Sequence, residues 1–273
     1  MIPTAHLFRP LGQELIRLLR SLDADAWTRP TSAPRWAVRD VVAHLLDVDL
    51  RRLSAARDGW LPPPPEEPIG SDGDLVHYLD RLNAEWVAAA RRLSPRVLTD
   101  HLAATCESVA DVMEAADPES EATFPVAWTG QTSSPMWLDI GREYTERWHH
   151  QDQIREAAGA APLGDRRWLL PVLEISLLAL PHAYRSIVAA EGTRVALHVA
   201  GSAGGDWYLE CGARWRVVRG ETHRAEARID VADLDLARIL MHRMPTARIR
   251  SVLSVDGAEE LIEPLVTARA VMV

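Results

Sequence analysis

The sequence predicts two parts, an N-terminal α-helical bundle and a smaller C-terminal α+β domain. Up to about residue 190, apolar residues recur at the three-to-four-residue spacing of helices. From Thr193 the period changes to two, as in strands with one buried face. Pro, Gly, Ser and Asp stand at the breaks between these segments, where helices and strands begin and end. We expect a bundle over 1–165, a connecting helix over 166–192 and the α+β domain over 193–273.

Five helices account for the first part, or six with the connecting segment. The predicted helices span 7–22, 38–57, 72–93, 96–116 and 135–158. Asp72 or Asp74 is expected to cap the third helix. Gly159 follows the fifth in the position where many helices end in a left-handed residue. The proline-rich run at 62–68 predicts a stiff connector rather than a ligand for a proline-binding domain.

The second part contains short runs in which apolar and polar residues alternate. The predicted strands lie at 195–200, 207–211, 215–217 and 227–231. The glycine-rich segment 201–205 lies between two strands, so it predicts a hairpin loop. A phosphate-binding loop would instead open a helix. Beyond the strands we expect helices at 233–241 and 258–266, with an extended segment at 249–255.

Composition and charge exclude several classes of function. The 30 basic residues are all arginine, and 39 acidic residues leave a net charge of −9. A chain this acidic is repelled by nucleic acid and anionic lipid, so we expect neither as a partner. Without lysine, Schiff-base and lysine-base chemistry are excluded.

The chain shows no leader and no long apolar run, which predicts a cytoplasmic protein. Cys106 and Cys211 lie in no Cys-x-x-Cys pattern and predict buried free thiols.

Two predicted helices carry an acidic residue and a histidine one turn apart. Asp40, His44 and Asp47 share one face of the second helix, and Glu146 and His150 share one face of the fifth. A carboxylate and an imidazole so placed can chelate a divalent metal, and a histidine from a facing helix supplies a third ligand. The spacing permits a site of His44, Glu146 and His150, although such pairs are also common as surface ion pairs.

The residues around these pairs carry a resemblance to a known family. The segments W-A-V-R-D-V-V-A-H-L-L at 36–46 and E-R-W-H-H-Q-D at 146–152 resemble the N-terminal domain of the mycothiol-dependent maleylpyruvate isomerase family, a branch of the DinB-like four-helix bundles. The resemblance implies that His44, Glu146 and His150 bind a divalent metal, usually zinc. Asp152 is displaced by one residue from the family's acidic position, so it receives no role. His149 could replace His150, but it is only three residues from Glu146 and lies about 100° from His150 around the helix.

The second part is similar to the sterol-carrier-like domain that often follows in this family. Segment 237–245 resembles its helix ending in an arginine, and 253–257 its last strand-to-helix turn. The resemblance implies mycothiol as a cosubstrate that attacks the cis double bond of a small electrophile, so that the trans isomer forms when the thiolate leaves. A dicarboxylate substrate needs arginine or histidine for its carboxylates, and Arg243 is the candidate. An ordinary surface arginine near a helix C-terminus is the alternative that the position favours.

Other functions remain open at this point. The same site could serve a mycothiol S-transferase in detoxification or secondary metabolism, or a metal-binding module without turnover. The C-terminal domain could instead carry a lipid in a cavity lined by Trp207, Tyr208 and Trp215. Asp40 either orients His44 or begins its helix. We expect small molecules as partners and a monomer or homodimer.

Overall fold

The computed structural model describes all residues except 62, 64, 66, 67, 223, 272 and 273. The predicted proline connector therefore lies largely outside the described residues. The bundle helices are α1 (Phe8–Ser21), α2 (Val38–Arg52), α3 (Asp72–Ala90), α4 (Pro95–Ala115) and α5 (Met136–Ala158). Their positions confirm the five helices expected from the apolar spacing. The second is shorter than predicted, because residues Leu53–Arg57 form a wider π-helical turn.

Two caps explain where bundle helices begin and end. Ser71, rather than Asp72 or Asp74, is the N-cap of α3, because its Oγ accepts a hydrogen bond from the Asp74 amide at 3.2 Å. The predicted aspartate cap was therefore wrong, because the N-cap precedes Asp72 by one residue and Asp74 by three. Gly159 ends α5 with a φ of 69°, the left-handed conformation that glycine adopts at low cost.

The helices pack so that α2 and α5 lie side by side within the bundle. α1 packs against α4 and α5, and α2 packs against α3, α4 and α5. Between α1, α2 and α4 lies an apolar cluster of buried side chains that includes Leu15, Val41 and Leu102. The face that α5 turns towards α2 is instead rich in buried polar residues, which form the candidate site.

The segment after the bundle is not one helix over 166–192. It divides into α6 (Arg166–Ser176), a 3-10 turn (Leu177–Ala179) and α7 (Leu180–Ala183). Pro181 lies in the first turn of α7, where proline is tolerated, so the break falls before it, at the 3-10 turn. Helical structure ends at Ala183, and the chain then enters the sheet.

Over its described residues, the C-terminal part forms a five-stranded sheet with three helices. Its strands are β1 (Arg194–Ala200), β2 (Gly205–Cys211), β3 (Trp215–Arg219), β4 (Ala227–Ala232) and β5 (Ser254–Gly257), in the order β3-β2-β1-β4-β5. β1 and β4 are parallel, and the other neighbours are antiparallel. The glycine-rich segment is the expected hairpin between β1 and β2.

Three helices, α8 (Asp233–Leu240), α9 (Thr246–Val252) and α10 (Glu259–Thr267), complete this part. The extended segment predicted at 249–255 was wrong in its first half, which belongs to α9. Pro245 immediately precedes the first helical residue of α9 and is a signal for a helix start. The apolar alternation of the following residues favoured a strand instead.

A continuous apolar core joins the bundle to the sheet. Tyr144 and Trp148 on α5, Leu173 on α6 and Leu197 on β1 are all almost fully buried in one cluster. α6 packs against both α5 and α8, so its side chains connect the core of the bundle with that of the sheet. The predicted fold class, a helical bundle followed by an α+β part, is confirmed. Among the described residues, no helix combines the length and apolar character that crossing a membrane requires.

Candidate metal centre

The structure brings together the three residues that the sequence predicts as ligands. His44 lies on α2, Glu146 and His150 lie on α5, and the ring centres of the two histidines are 4.7 Å apart. The Glu146 Oε2 and His150 Nε2 atoms are 3.7 Å apart. Both histidines are 8% exposed, and 26% of the Glu146 side chain is exposed. Glu146 therefore gives this buried group its contact with solvent.

The neighbour of His150 determines which of its ring nitrogens can bind another group. Its Nδ1 lies 2.9 Å from Gln153 Oε1, an acceptor that favours the Nδ1–H tautomer. The lone pair then remains on Nε2, the nitrogen that faces Glu146. A ring nitrogen held in this way is suited to metal binding.

Burial determines the charge of the cluster. It lowers the pKa of His44 and of His149 well below the usual range, and it lowers the pKa of His150 to about 4 despite the bond to Gln153. The imidazoles are therefore neutral at pH 7, the form that binds metals. Burial raises the pKa of Glu146 to about 7, although the nearby Arg142 opposes the rise. A cation beside Glu146 would stabilise its carboxylate.

The separations between the side chains can be compared with those around a zinc ion. Among the described residues, no group of three or more His, Cys, Asp or Glu side chains is arranged to hold a metal. Two ligand atoms on a tetrahedral zinc lie about 3.4 Å apart, whereas Glu146 Oε2 and His150 Nε2 are 3.7 Å apart. His44 Nδ1 is buried and has no hydrogen-bond partner within the described part of the chain. The three residues therefore supply donor types that a divalent metal accepts, and the Glu146–His150 separation is close to that of two zinc ligands.

His149 and Trp36 complete the surroundings of the two histidines. The His149 ring is 4.9 Å from His150, and its buried Nδ1 also has no partner among the residues described. The Trp36 ring is 5.0 Å from His44. His149 thus belongs to the same cluster despite its different helix face, and Trp36 covers His44.

Arg243, predicted to bind substrate carboxylates, lies in an interface between the two parts of the chain. It forms ion pairs with Asp152 and Glu156 on α5, and its Nε donates to Ser32 Oγ at 3.1 Å. Its side chain is 3% exposed. Its positive charge also helps to lower the pKa of His149 and His150. Arg243 is therefore near the histidine cluster, but existing bonds occupy it.

Asp40 has a structural explanation. Its Oδ2 accepts from the Ala37 amide at 3.1 Å, where α2 begins. Its carboxylate also pairs with Arg91 on the segment after α3, with an Oδ1–Nε distance of 3.0 Å. The sequence left two roles open for Asp40, and these contacts support the one in which it stabilises the beginning of α2.

A set of buried ion pairs along α2 and α5, which we name the α2–α5 ladder, was missed from the sequence. Asp49 pairs with Arg147, and Arg52 pairs with Asp139 and Glu143 at 2.7 and 2.8 Å. The partners run in opposite directions along the two helices, so the helices are antiparallel. The ladder leads along the same seam to His44 and His150.

The sequence contains one signal for this ladder. Asp139, Glu143 and Arg147 recur every four residues, so they form a polar stripe on one face of α5. Such a stripe normally predicts a solvated surface. In this structure it faces α2 and is buried, because arginine and carboxylate side chains neutralise one another.

Comparison with known proteins addresses the family of the chain. The family model for the mycothiol maleylpyruvate isomerase N-terminal domain matches residues 8–170, more than half of the sequence. The chain belongs to this family. The matched region extends from the first residue of α1 into α6 and includes His44, Glu146 and His150. The matched region ends before the sheet and does not include Arg243.

Two solved structures are similar to the chain over nearly its whole length. They are crystal structures of the mycothiol-dependent maleylpyruvate isomerase and of a histidine-to-alanine mutant of it, with TM-scores of 0.57 and 0.56. Each is 13% identical and covers 94% of this chain and 93% of its own. At this identity the likeness shows a shared fold, which includes the C-terminal part. No curated protein matches the chain.

Proposed function

We propose that the protein activates a low-molecular-weight thiol, such as mycothiol, for attack on a small electrophile, in a cis–trans isomerisation like that of maleylpyruvate isomerase. His44, Glu146 and His150 would hold a divalent metal, with zinc as the expected ion. The observation that carries the proposal is the contact of these three side chains inside the region matched by the family model. A thiol cosubstrate also favours a cytoplasmic location, where thiols are kept reduced.

The chain's own residues prepare this site in several ways. Burial keeps His44 and His150 neutral, and Gln153 directs the His150 Nε2 lone pair towards Glu146. Zinc bound there would favour the thiolate form of an external thiol at neutral pH. Trp36 lies against His44 and limits access of water from that side. Glu146, the most exposed of the three, marks the side from which a thiol would enter.

The two cysteines do not offer an alternative nucleophile. Burial raises the pKa of the Cys106 thiol to about 12, and the nearby Asp49 adds to the rise. Cys211 is buried against the Ala189 carbonyl, with Sγ 3.6 Å from the oxygen. An external thiol fits better. It would add to the double bond, the resulting single bond would rotate, and loss of the same thiolate would give the trans isomer without net consumption of thiol.

Arg243 remains the candidate for binding a substrate carboxylate in this isomerisation. Its partner Asp152 is 1% exposed, whereas the side chain of Glu156 is 46% exposed. The pair with Glu156 is therefore the weaker one, because water screens it. A substrate carboxylate could replace Glu156 on Nη2 while Asp152 retains Nη1.

The occupied state of Arg243 favours a second candidate, a mycothiol S-transferase. A neutral electrophile needs no arginine, so its reaction would leave the pairs with Asp152 and Glu156 intact. In that case the thiol remains bonded to the product.

The lipid-carrier hypothesis has less support. Trp207 and Trp215 lie in the apolar core, whereas Tyr208 points to the opposite face of β2 and packs under Arg194. The three side chains therefore do not line one cavity.

Incubation with mycothiol and a panel of electrophiles tests the proposal. Product analysis by mass spectrometry and NMR should show isomerised maleylpyruvate without loss of thiol, or a thioether if the protein is a transferase. His150→Ala should abolish either activity, whereas the control His101→Ala, on the exposed surface of α4, should retain it. Absence of product with every electrophile would contradict both candidates.

A further inference from the structure

A cavity of about 310 Å³ lies apart from the histidine cluster. It is formed by the 3-10 turn Ala127–Thr129, the α7 region and the chain segment that follows α10, with one residue from α3. No residue of α2 or α5 lines it. The cavity is therefore not part of the candidate metal centre, and its lining must be interpreted separately.

Two arginines give this cavity a positive charge. Arg185 and Arg269 both line it, and none of the described lining residues is acidic. Arg185 Nη1 donates to the His182 carbonyl at 2.7 Å, and Arg269 Nη1 donates to the Ala268 carbonyl at 2.8 Å. Within the described chain, neither guanidinium forms an ion pair, although acidic residues outnumber arginines. Burial lowers the pKa of Arg269.

The rest of the lining is mostly apolar, with His182 and Thr267 as its other polar residues, and its tryptophan carries a polar group without a partner among the described residues. Ala127, Ala183 and Ala268 contribute small apolar surfaces, and Trp128 contributes its large ring. Trp128 is only 6% exposed, and its Nε1–H has no acceptor among the residues described. A buried donor without an acceptor is costly, and a bound oxygen would remove that cost.

We propose that this cavity is a second binding site, which takes a small organic carboxylate. The guanidinium groups of Arg185 and Arg269 match the planar carboxylate, and the apolar part of the ligand lies against Trp128 and the alanines. The volume is at the lower end of the range for small-molecule sites, about 300–1,000 Å³. The ligand is therefore expected to be a single-ring or short-chain acid.

Binding of benzoate, followed by ligand-observed NMR and equilibrium dialysis, tests this site. Benzoate should bind. Benzamide should bind much more weakly because it lacks the negative charge, and inorganic phosphate because it lacks the apolar ring. Arg269→Gln and Arg185→Gln should each weaken benzoate binding by about tenfold or more, the usual size of a charge-assisted hydrogen bond. Arg214→Gln, at an exposed turn between β2 and β3, is the matched control and should bind as the wild type does.

One further variant makes the result decisive. His44→Ala should bind benzoate normally, which separates this site from the metal centre and from the proposed activity. Circular dichroism of each arginine variant checks that the fold is intact. The proposal would be overturned if the wild type did not bind benzoate. It would also be overturned if both folded arginine variants bound benzoate as tightly as the wild type, or if His44→Ala lost binding.

Discussion

Arg243, in the turn after α8, forms a buried ion pair with Asp152 on α5. The Asp152 carboxylate also binds Arg238 of α8, with an Oδ2–Nε distance of 2.9 Å. Two arginines of the C-terminal part thus hold one carboxylate of the bundle, two residues from His150 in the sequence. This contact fixes the C-terminal part against the helix that carries two of the candidate ligands.

Replacement of Arg243 should destabilise the protein as well as impair its proposed activity. We expect Arg243→Ala to lower the free energy of unfolding by about 2 kcal/mol, because buried hydrogen bonds to charged groups are lost while Arg238 still compensates Asp152. Urea denaturation measures the change, with the exposed Arg248→Ala as control. Unchanged stability of Arg243→Ala would show that the pair with Asp152 does not hold the two parts together.

The stability that the α2–α5 ladder gives the protein should depend on both members of each ion pair. Arg147→Met leaves the Asp49 carboxylate buried beside Thr105 alone, and we expect a loss of about 3–5 kcal/mol. The double variant Asp49→Val/Arg147→Met should recover much of that loss, since neither charge remains. Breaking the exposed Arg96–Asp100 pair with Arg96→Met should have almost no effect. Equal losses in the single and double variants would argue against a buried pair.

The stability of the ladder should also depend on pH through Glu143. Burial alone would raise the pKa of Glu143, but Arg52, Arg142 and Arg147 outweigh it and lower the pKa to about 2. Because this lies below the unfolded value of about 4.3, the stability from Glu143 is complete above about pH 5 and is lost towards pH 2. The difference in unfolding free energy between wild type and Glu143→Gln should therefore shrink as the pH falls. A constant difference from pH 6 to pH 3 would contradict this assignment.

Cys106 should be unreactive in the folded protein. Since burial raises its pKa to about 12, very little thiolate exists at pH 8. Iodoacetamide should therefore modify Cys106 very slowly in buffer and rapidly in urea, which peptide mass spectrometry can follow. Rapid labelling of the folded protein would reopen Cys106 as a nucleophile and weaken the case for an external thiol.

The fold was largely predictable because apolar spacing reports directly on burial. The boundaries of α1, α4 and α5 and the first four strands follow that spacing closely. The spacing misled at α9, where Ile249, Val252 and Leu253 also suit an extended segment. It also could not show that the segment after the bundle divides into α6, a 3-10 turn and α7. Those outcomes depend on local hydrogen bonding more than on which residues are buried.

The candidate site was predictable only in part. The acid–histidine spacing and the resemblance identified His44, Glu146 and His150, and the structure brings them into contact. The acidic partners of Arg243 could not be predicted, because they lie about ninety residues away in the sequence and depend on how the two parts pack. The same is true of Asp49 and Arg147, whose burial depends on the match between two separate helices.

Metal content is the most direct test of the central claim that His44, Glu146 and His150 form a divalent metal site. Protein purified without chelators, then dialysed and analysed by inductively coupled plasma mass spectrometry, should contain close to one zinc or other divalent ion per chain. His44→Ala, Glu146→Ala and His150→Ala should each lose most of this metal, while His101→Ala should retain it. A wild type that stays metal-free after incubation with zinc, or three folded variants that bind metal as the wild type does, would contradict the account.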